Sequence, residues 1–208
     1  MAEKMTEKSC SGFAAELAAK TSVPGGGGAA AYVGALSVAL CSMVGNFTAG
    51  KKKYAEYEAD VQRMLEEGEA VRVRLLELVE EDAAAFFPLS QAYGIPKEDP
   101  TREEQLEKCT KDALAAPLEM MRQIAKAIEL LEEMNVKGSR MLISDVGCGA
   151  ACAAAAMQAA SLNVFINTKA LIDRDFAERA EAEADGLLTY VSRAQRIVDE
   201  VTASIRAL

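Results

Sequence analysis

The carboxylate of Asp82 stands where an apolar residue belongs. Tyr57, Val61, Met64, Leu65, Val71, Leu75, Leu78 and Val79 recur at helical spacing with Gly68 filling one step, Asp82 falls on the continuation of that stripe, and Phe86 follows one turn later. A carboxylate on the inward side of a helix either holds a buried cation or lines a cleft, where burial raises its pKa and suits it to proton transfer. Both readings stay open; Glu80 and Glu81 fall on other sides and read as solvated charges. A second feature is Pro24-Gly25-Gly26-Gly27-Gly28, whose glycines can bend sharply and leave backbone amides uncovered, as a loop does when it opens a helix against a ligand. The bland alternative is a flexible turn. A nucleotide phosphate loop is excluded, because no Lys-Ser/Thr follows the glycines and no strand precedes them. The uncharged run Ala29 to Ala49 then ends in Gly50-Lys51-Lys52-Lys53-Tyr54, either a basic clamp or a solvated charge run. Finally, Asp145, Gly149, Cys152, Ala156, Asn163 and Asn167 share one predicted helix face. That is a groove with polar anchors, or a tight crossing with satisfied caps.

What is missing narrows the chemistry. The 208 residues contain no histidine, so acid–base work falls to carboxylates, lysines, tyrosines or cysteines. No set of residues has metal-ligand spacing, and no metal is expected. The five cysteines are scattered, and Cys148 and Cys152, one turn apart, read as small buried thiols rather than a zinc site or a disulfide, which fits a cytoplasmic protein. A formal charge of −9 argues against nucleic acid as a partner and makes the lysine run stand out. The polar start Met1 to Lys8 lacks the apolar centre of a signal peptide.

A membrane span is the main rival for the uncharged run. Its 21 residues followed by lysines have the arithmetic of a single crossing, and Val146 to Thr168 is a second low-charge run. Both runs are rich in Gly, Ser, Asn, Thr and Ala rather than Leu, Ile and Phe, and the other segments are amphipathic. Two helices buried by their neighbours explain the pattern better, and no membrane partner is expected.

The remaining elements complete one all-α domain over 1–208, with 1–10 expected as a flexible tail. The pattern predicts a short helix from Ser11 to Lys20, a helix through the uncharged run capped by Gly50, and a long third helix from about Lys52 to at least Phe87, kinked or ended by Pro88. Thr101 and Glu104 have capping-box spacing before a fourth helix that bends at Pro117. A fifth runs from roughly Ile143 to Asn167, and a sixth starts at Asp173. Strand patterns and internal repeats are absent. The expected architecture is a mostly antiparallel bundle of about six helices, with the two Ala/Gly-rich helices in the middle.

Taken together, Pro24-Gly25-Gly26-Gly27, Gly50-Lys51-Lys52-Lys53-Tyr54, Asp82-Ala83-Ala84-Ala85-Phe86, Ala116-Pro117-Leu118, Ser144-Asp145 and Asn163-Val164-Phe165-Ile166-Asn167 resemble the cyclodeaminase/cyclohydrolase family of folate enzymes. The likeness runs from about Phe13 to the C-terminus. It implies an all-helical homodimer with the folate site in a cleft at or near the subunit interface, and no cofactor beyond the tetrahydrofolate derivative used as substrate. It also implies Asp82 as catalytic residue and Pro24, Gly25, Gly26, Gly27, Lys51, Lys52, Asp145, Asn163 and Asn167 as substrate-binding residues. The lysines would suit the glutamate carboxylates of folate, and the Asp145, Asn163 and Asn167 set the pterin edge. One position departs from the family pattern: Gly28 stands where a serine is usual. The leading expectation is hydrolysis of 5,10-methenyltetrahydrofolate to 10-formyltetrahydrofolate, since no transferase is attached. Formimidoyltetrahydrofolate cyclodeaminase is the alternative within the family, and a non-catalytic binding or membrane-associated helical module the alternative outside it.

Overall fold

Apolar residues at helical spacing set the length of every element. In the computed structural model, which describes residues 4–207, they form α1 (Cys10–Leu17), α2 (Gly26–Thr48), α3 (Glu58–Tyr93), α4 (Arg102–Lys137), α5 (Ile143–Ala170) and α6 (Arg174–Arg206), and no strand occurs among the described residues. Helices α3, α2, α5 and α6 lie side by side in that order, and α4 packs against all four. Leu114, Met120, Met121, Ile124, Ile128, Leu131 and Met134 of α4 are the largest side chains it buries. Truncating any of these to alanine should cost about 2–5 kcal/mol.

Small residues on α2 and α5 let the backbones approach. A Cβ on Gly34 would lie 3.1 Å from Ile124 Cγ1, and one on Gly149 would lie 3.1 Å from the Ser37 carbonyl oxygen. Helices α2 and α5 run antiparallel, with the end of one tied to the start of the other. The Ser139 amide donates to Thr48 Oγ1 at 2.8 Å, and the Arg140 amide donates to the Tyr54 hydroxyl at 3.0 Å. Both helices are long and apolar enough to cross a membrane, yet each is flanked on two sides and underlain by α4. Being central in the layer does not cover them completely. Leu36, Phe47, Leu162 and Ile166 remain exposed on the side away from α4.

Several local expectations are corrected. Gly26, Gly27 and Gly28 are not a loop before α2 but its first turn, with Gly25 as N-cap. Thr101 precedes α4, but the capping box does not form: Asp99 Oδ1 takes both the Thr101 amide and hydroxyl, at 2.8 and 2.7 Å, holding Thr101 in a helical conformation. Pro88 does not end α3, which continues to Tyr93. Lys52–Tyr57 is a 3-10 turn rather than the start of that helix. Cys148 is exposed and Cys152 half-buried, leaving Cys41 as the buried thiol, its pKa pushed up to about 12 by burial and the nearby Glu133. Gly50 does cap α2, at φ 72°, a left-handed conformation that favours glycine. Residues 1–3 of the expected tail lie outside the described part, while the Thr6 amide and hydroxyl bond to Glu80 on α3.

Candidate active site

The N-terminal turn of α2 leaves amides without intrahelical partners, and Gly25 has no side chain to cap them. Asp82 reaches across from α3 to fill that role. Its carboxylate lies against the bare Cα of Gly27, where a Cβ would come within 2.5 and 2.6 Å of the two oxygens. Burial pushes the Asp82 carboxyl above the usual aspartate range, and the hydrogen bond from the Gly28 amide partly offsets this. The position follows from the α3 stripe: Leu75, Leu78 and Val79 are fully buried, and Asp82 is the next residue on that side as the helix emerges from the core.

Helix α5 supplies the opposite wall. Asn163 lies against Gly26, where a Cβ would be 3.6 Å from its Nδ2 and 3.7 Å from its Oδ1. Its Nδ2 donates to the Ala159 carbonyl at 2.9 Å, which fixes the amide one turn above its own backbone. Asn167 follows one turn later, and both asparagines line the same cleft as Asp82 and Gly25 to Gly27. Phe86, Ala113 and Ile166 form its apolar side, and Ser22 and Val23 its rim. The enclosed volume is about 160 Å³, small beside the several hundred cubic ångströms usual for a complete small-molecule site. Asp82 is the only ionisable side chain among the described residues lining it.

Not every expected site residue is here. Pro24 is buried beneath the turn, its Cβ 3.5 Å from where a Cβ on Gly28 would lie, and does not line the cleft. Lys51 and Lys52 follow the opposite end of α2, roughly 35 Å away at 1.5 Å rise per residue. Asp145 is at the far end of α5, about 27 Å from Asn163 by the same arithmetic. In one chain, then, the glycines, Asp82, Asn163 and Asn167 converge, and the lysines and Asp145 do not. Among the lining residues, Phe86 and Ile166 went unassigned although their spacing points to them. Phe86 is four residues from Asp82, and Ile166 lies between the two asparagines. Nothing in the sequence singles out Ala113.

The sequence profile of the family described as formiminotransferase-cyclodeaminase matches residues 9–186. The chain belongs to that family. It is 40% identical over 194 residues to a methenyltetrahydrofolate cyclohydrolase of Methylorubrum extorquens, covering 91% of this chain and 93% of that one. It is 30% identical over 190 residues to the formimidoyltransferase-cyclodeaminase of Mus musculus, covering 89% of this chain but 35% of the mouse protein. The crystal structure of a formiminotetrahydrofolate cyclodeaminase from Thermotoga maritima superposes with a TM-score of 0.88 at 29% identity, covering 96% of this chain and 98% of that one. Because this chain matches 98% of that cyclodeaminase chain, the extent of the match does not separate the two activities.

Proposed function

We propose that the protein hydrolyses 5,10-methenyltetrahydrofolate to 10-formyltetrahydrofolate. The observation that carries this is a half-buried carboxylate, the only ionisable group among the described residues lining its cleft, set between helix amides and two asparagines. The 40% likeness to a methenyltetrahydrofolate cyclohydrolase supports it. The bridge between N5 and N10 is a delocalised cation, which the Asp82 carboxylate stabilises. Asp82 takes a proton from water as the water oxygen bonds to the bridge carbon. The carbon–N5 bond then breaks, Asp82 returns its proton to N5, and the hydroxyl proton passes to solvent as the formyl group forms on N10. Asn163 and Asn167 would bind the polar edge of the pterin, with Phe86 and Ile166 against its faces. No cofactor beyond the folate is needed.

A second reading is favoured by the likeness to the T. maritima cyclodeaminase. In it Asp82 accepts the N10 proton as N10 attacks the carbon of the protonated formimino group, and donates it to the NH2 that leaves as ammonia when the methenyl cation forms. Purified protein incubated with each substrate separates the two: loss of the methenyl absorbance marks the hydrolase, release of ammonia from 5-formiminotetrahydrofolate the deaminase, and turnover of neither removes both. We place the protein in the cytoplasm, consistent with its five free cysteines, and read it as a homodimer from the open apolar side of α2 and α5.

A further inference from the structure

The side chain of Asn163 is held in a way that leaves one of its atoms free. Its Nδ2 donates to the Ala159 carbonyl at 2.9 Å, and only the nitrogen of an amide can donate to a carbonyl, so the same bond settles which atom is the oxygen. Oδ1 therefore has a fixed direction and takes no part in holding the side chain. No side-chain nitrogen or oxygen is both buried and unpaired among the described residues, so Oδ1 is open to the cleft that Asn163 lines.

Its neighbour there is the Asp82 carboxylate. Asn163 lies against Gly26 and Asp82 against Gly27, successive residues of the first turn of α2 with Cα atoms about 3.8 Å apart. Asn167 stands a further turn along α5 and Ser22 on the rim, so Asn163 is the side-chain acceptor set beside the base. Hydrolysis needs a water that gives a proton to Asp82 while its lone pair meets the bridge carbon. A water bonded to Asp82 alone turns about that bond, and its lone pair swings away from the carbon. A second acceptor stops the rotation, and misplacement of a nucleophile by about an ångström costs roughly 10²-fold in rate.

We infer that Asn163 orients the attacking water, which donates one hydrogen to Asp82 and the other to Asn163 Oδ1, so that its lone pair is aimed at the bridge carbon. This rests on the hydrolysis reading above and adds to the pterin contact given there, which uses the remaining hydrogen of Nδ2. Asp82 takes the first proton as the oxygen–carbon bond forms and passes it to N5 as the carbon–N5 bond breaks. The second hydrogen stays on the oxygen, bonded to Oδ1, until the formyl carbonyl forms and it leaves as a proton to solvent; the neutral amide does not take it. One methenyl cation and one water thus give one 10-formyltetrahydrofolate and one proton.

Threonine and valine have the same shape, and comparing them separates the oxygen from packing. In Asn163→Thr the hydroxyl can donate to the Ala159 carbonyl four residues back, as threonines in helices do, and still present its oxygen to the cleft. Asn163→Val presents none. Both variants lack the second amide hydrogen, so both should weaken the binding of tetrahydrofolate, which has no bridge carbon to be attacked, and to the same extent. With saturating 5,10-methenyltetrahydrofolate, Asn163→Val should lose about 10²-fold in kcat, and Asn163→Thr should turn over about tenfold faster than the valine variant, both with the helical circular dichroism of the wild type. Asn163→Ser against Asn163→Ala repeats the contrast without a β-branch and should give the same order. Equal kcat within each pair, or a difference that lies in the Kd for tetrahydrofolate and not in kcat, overturns the inference while wild-type hydrolysis leaves the folate reading standing. Wild-type protein that does not hydrolyse the methenyl compound overturns both.

Discussion

The two ends of α2 are built on opposite physics. At its start the backbone is packed face to face with side chains: Asp82 against Gly27 and Asn163 against Gly26, leaving no room at Gly27 for one methyl group. At its finish the Gly50 amide donates to Glu58, and Thr48 and Tyr54 accept the amides of Ser139 and Arg140, while Lys51 to Lys53 stand in solvent. Function at the first end depends on position, so substitutions there act through displacement. At the second it depends on charge, so substitutions there act through attraction and leave the fold alone. The uncharged helix between them keeps the two a fixed distance apart.

The largest effect should come from Asp82→Asn, which keeps the shape and removes the base. Turnover should fall by about 10²–10⁴-fold, the usual worth of a general base, with unchanged circular dichroism. The sign of its stability effect is a separate check. Because burial raises the folded-state pKa of Asp82 above its unfolded value, the native state holds the proton more tightly, and stability declines as pH rises through that window. At pH 7 the charged form carries a desolvation cost that asparagine lacks, so the melting temperature of Asp82→Asn should equal or exceed that of the wild type. For the wild-type enzyme, kcat/KM should rise with pH through one ionisation above the usual aspartate range, and Asp82→Asn should lose that limb. A rate that falls across the same window would make Asp82 an acid instead of a base.

Gly27→Ala should come next. Its Cβ would meet the Asp82 oxygens at 2.5 and 2.6 Å, so the carboxylate must move by about an ångström, and misplacement on that scale costs roughly 10²-fold in rate. Gly25→Ala, where a Cβ meets nothing within 4 Å, is the control and should stay within about threefold of wild type. Equal losses in both would mean that helix-start flexibility, not the carboxylate contact, matters at this end. At the other end, Lys51→Ala/Lys52→Ala should raise KM for triglutamylated substrate by about tenfold, the worth of roughly 1.4 kcal/mol, and raise it much less for the monoglutamate. Salt should weaken the wild-type preference for the longer tail and leave the variant unmoved.

How legible this was depends on whether one period carried the information. Asp82 and Asn163 were found because each breaks or ends a helical pattern along its own element, and the pattern survives folding. The glycine run misled because its intrinsic helix propensity is poor, about 1 kcal/mol per residue below alanine. Packing against Asp82, Asn163 and Val79 overrides it, and none of these lies near in sequence. The lysines joined the glycines in one site only through the resemblance; the helix already expected between them, 23 residues long, sets them apart within one chain. Thr101 failed as a cap for a local reason, since Asp99 is a stronger acceptor two residues away.

The smallest effect tests the one departure from the family pattern. A Cβ on Gly28 would lie 3.5 Å from Pro24 Cβ and 3.6 Å from Val79 Cγ1, ordinary contact distances, so the serine usual in the family fits without displacing Asp82. Replacing a glycine within a helix also reduces the freedom of the unfolded chain, worth about 0.4–1 kcal/mol where the backbone is compatible. Gly28→Ser should therefore melt slightly higher than wild type and turn over within about twofold of it. Neighbouring positions on one turn would then differ sharply: a methyl-sized addition at Gly27 disables the enzyme, and a larger one at Gly28 is absorbed. A severe loss in Gly28→Ser would show that the hydroxyl competes with Asp82 for the Gly28 amide, and that the bare amide at this end of α2 is itself what sets the carboxylate in place.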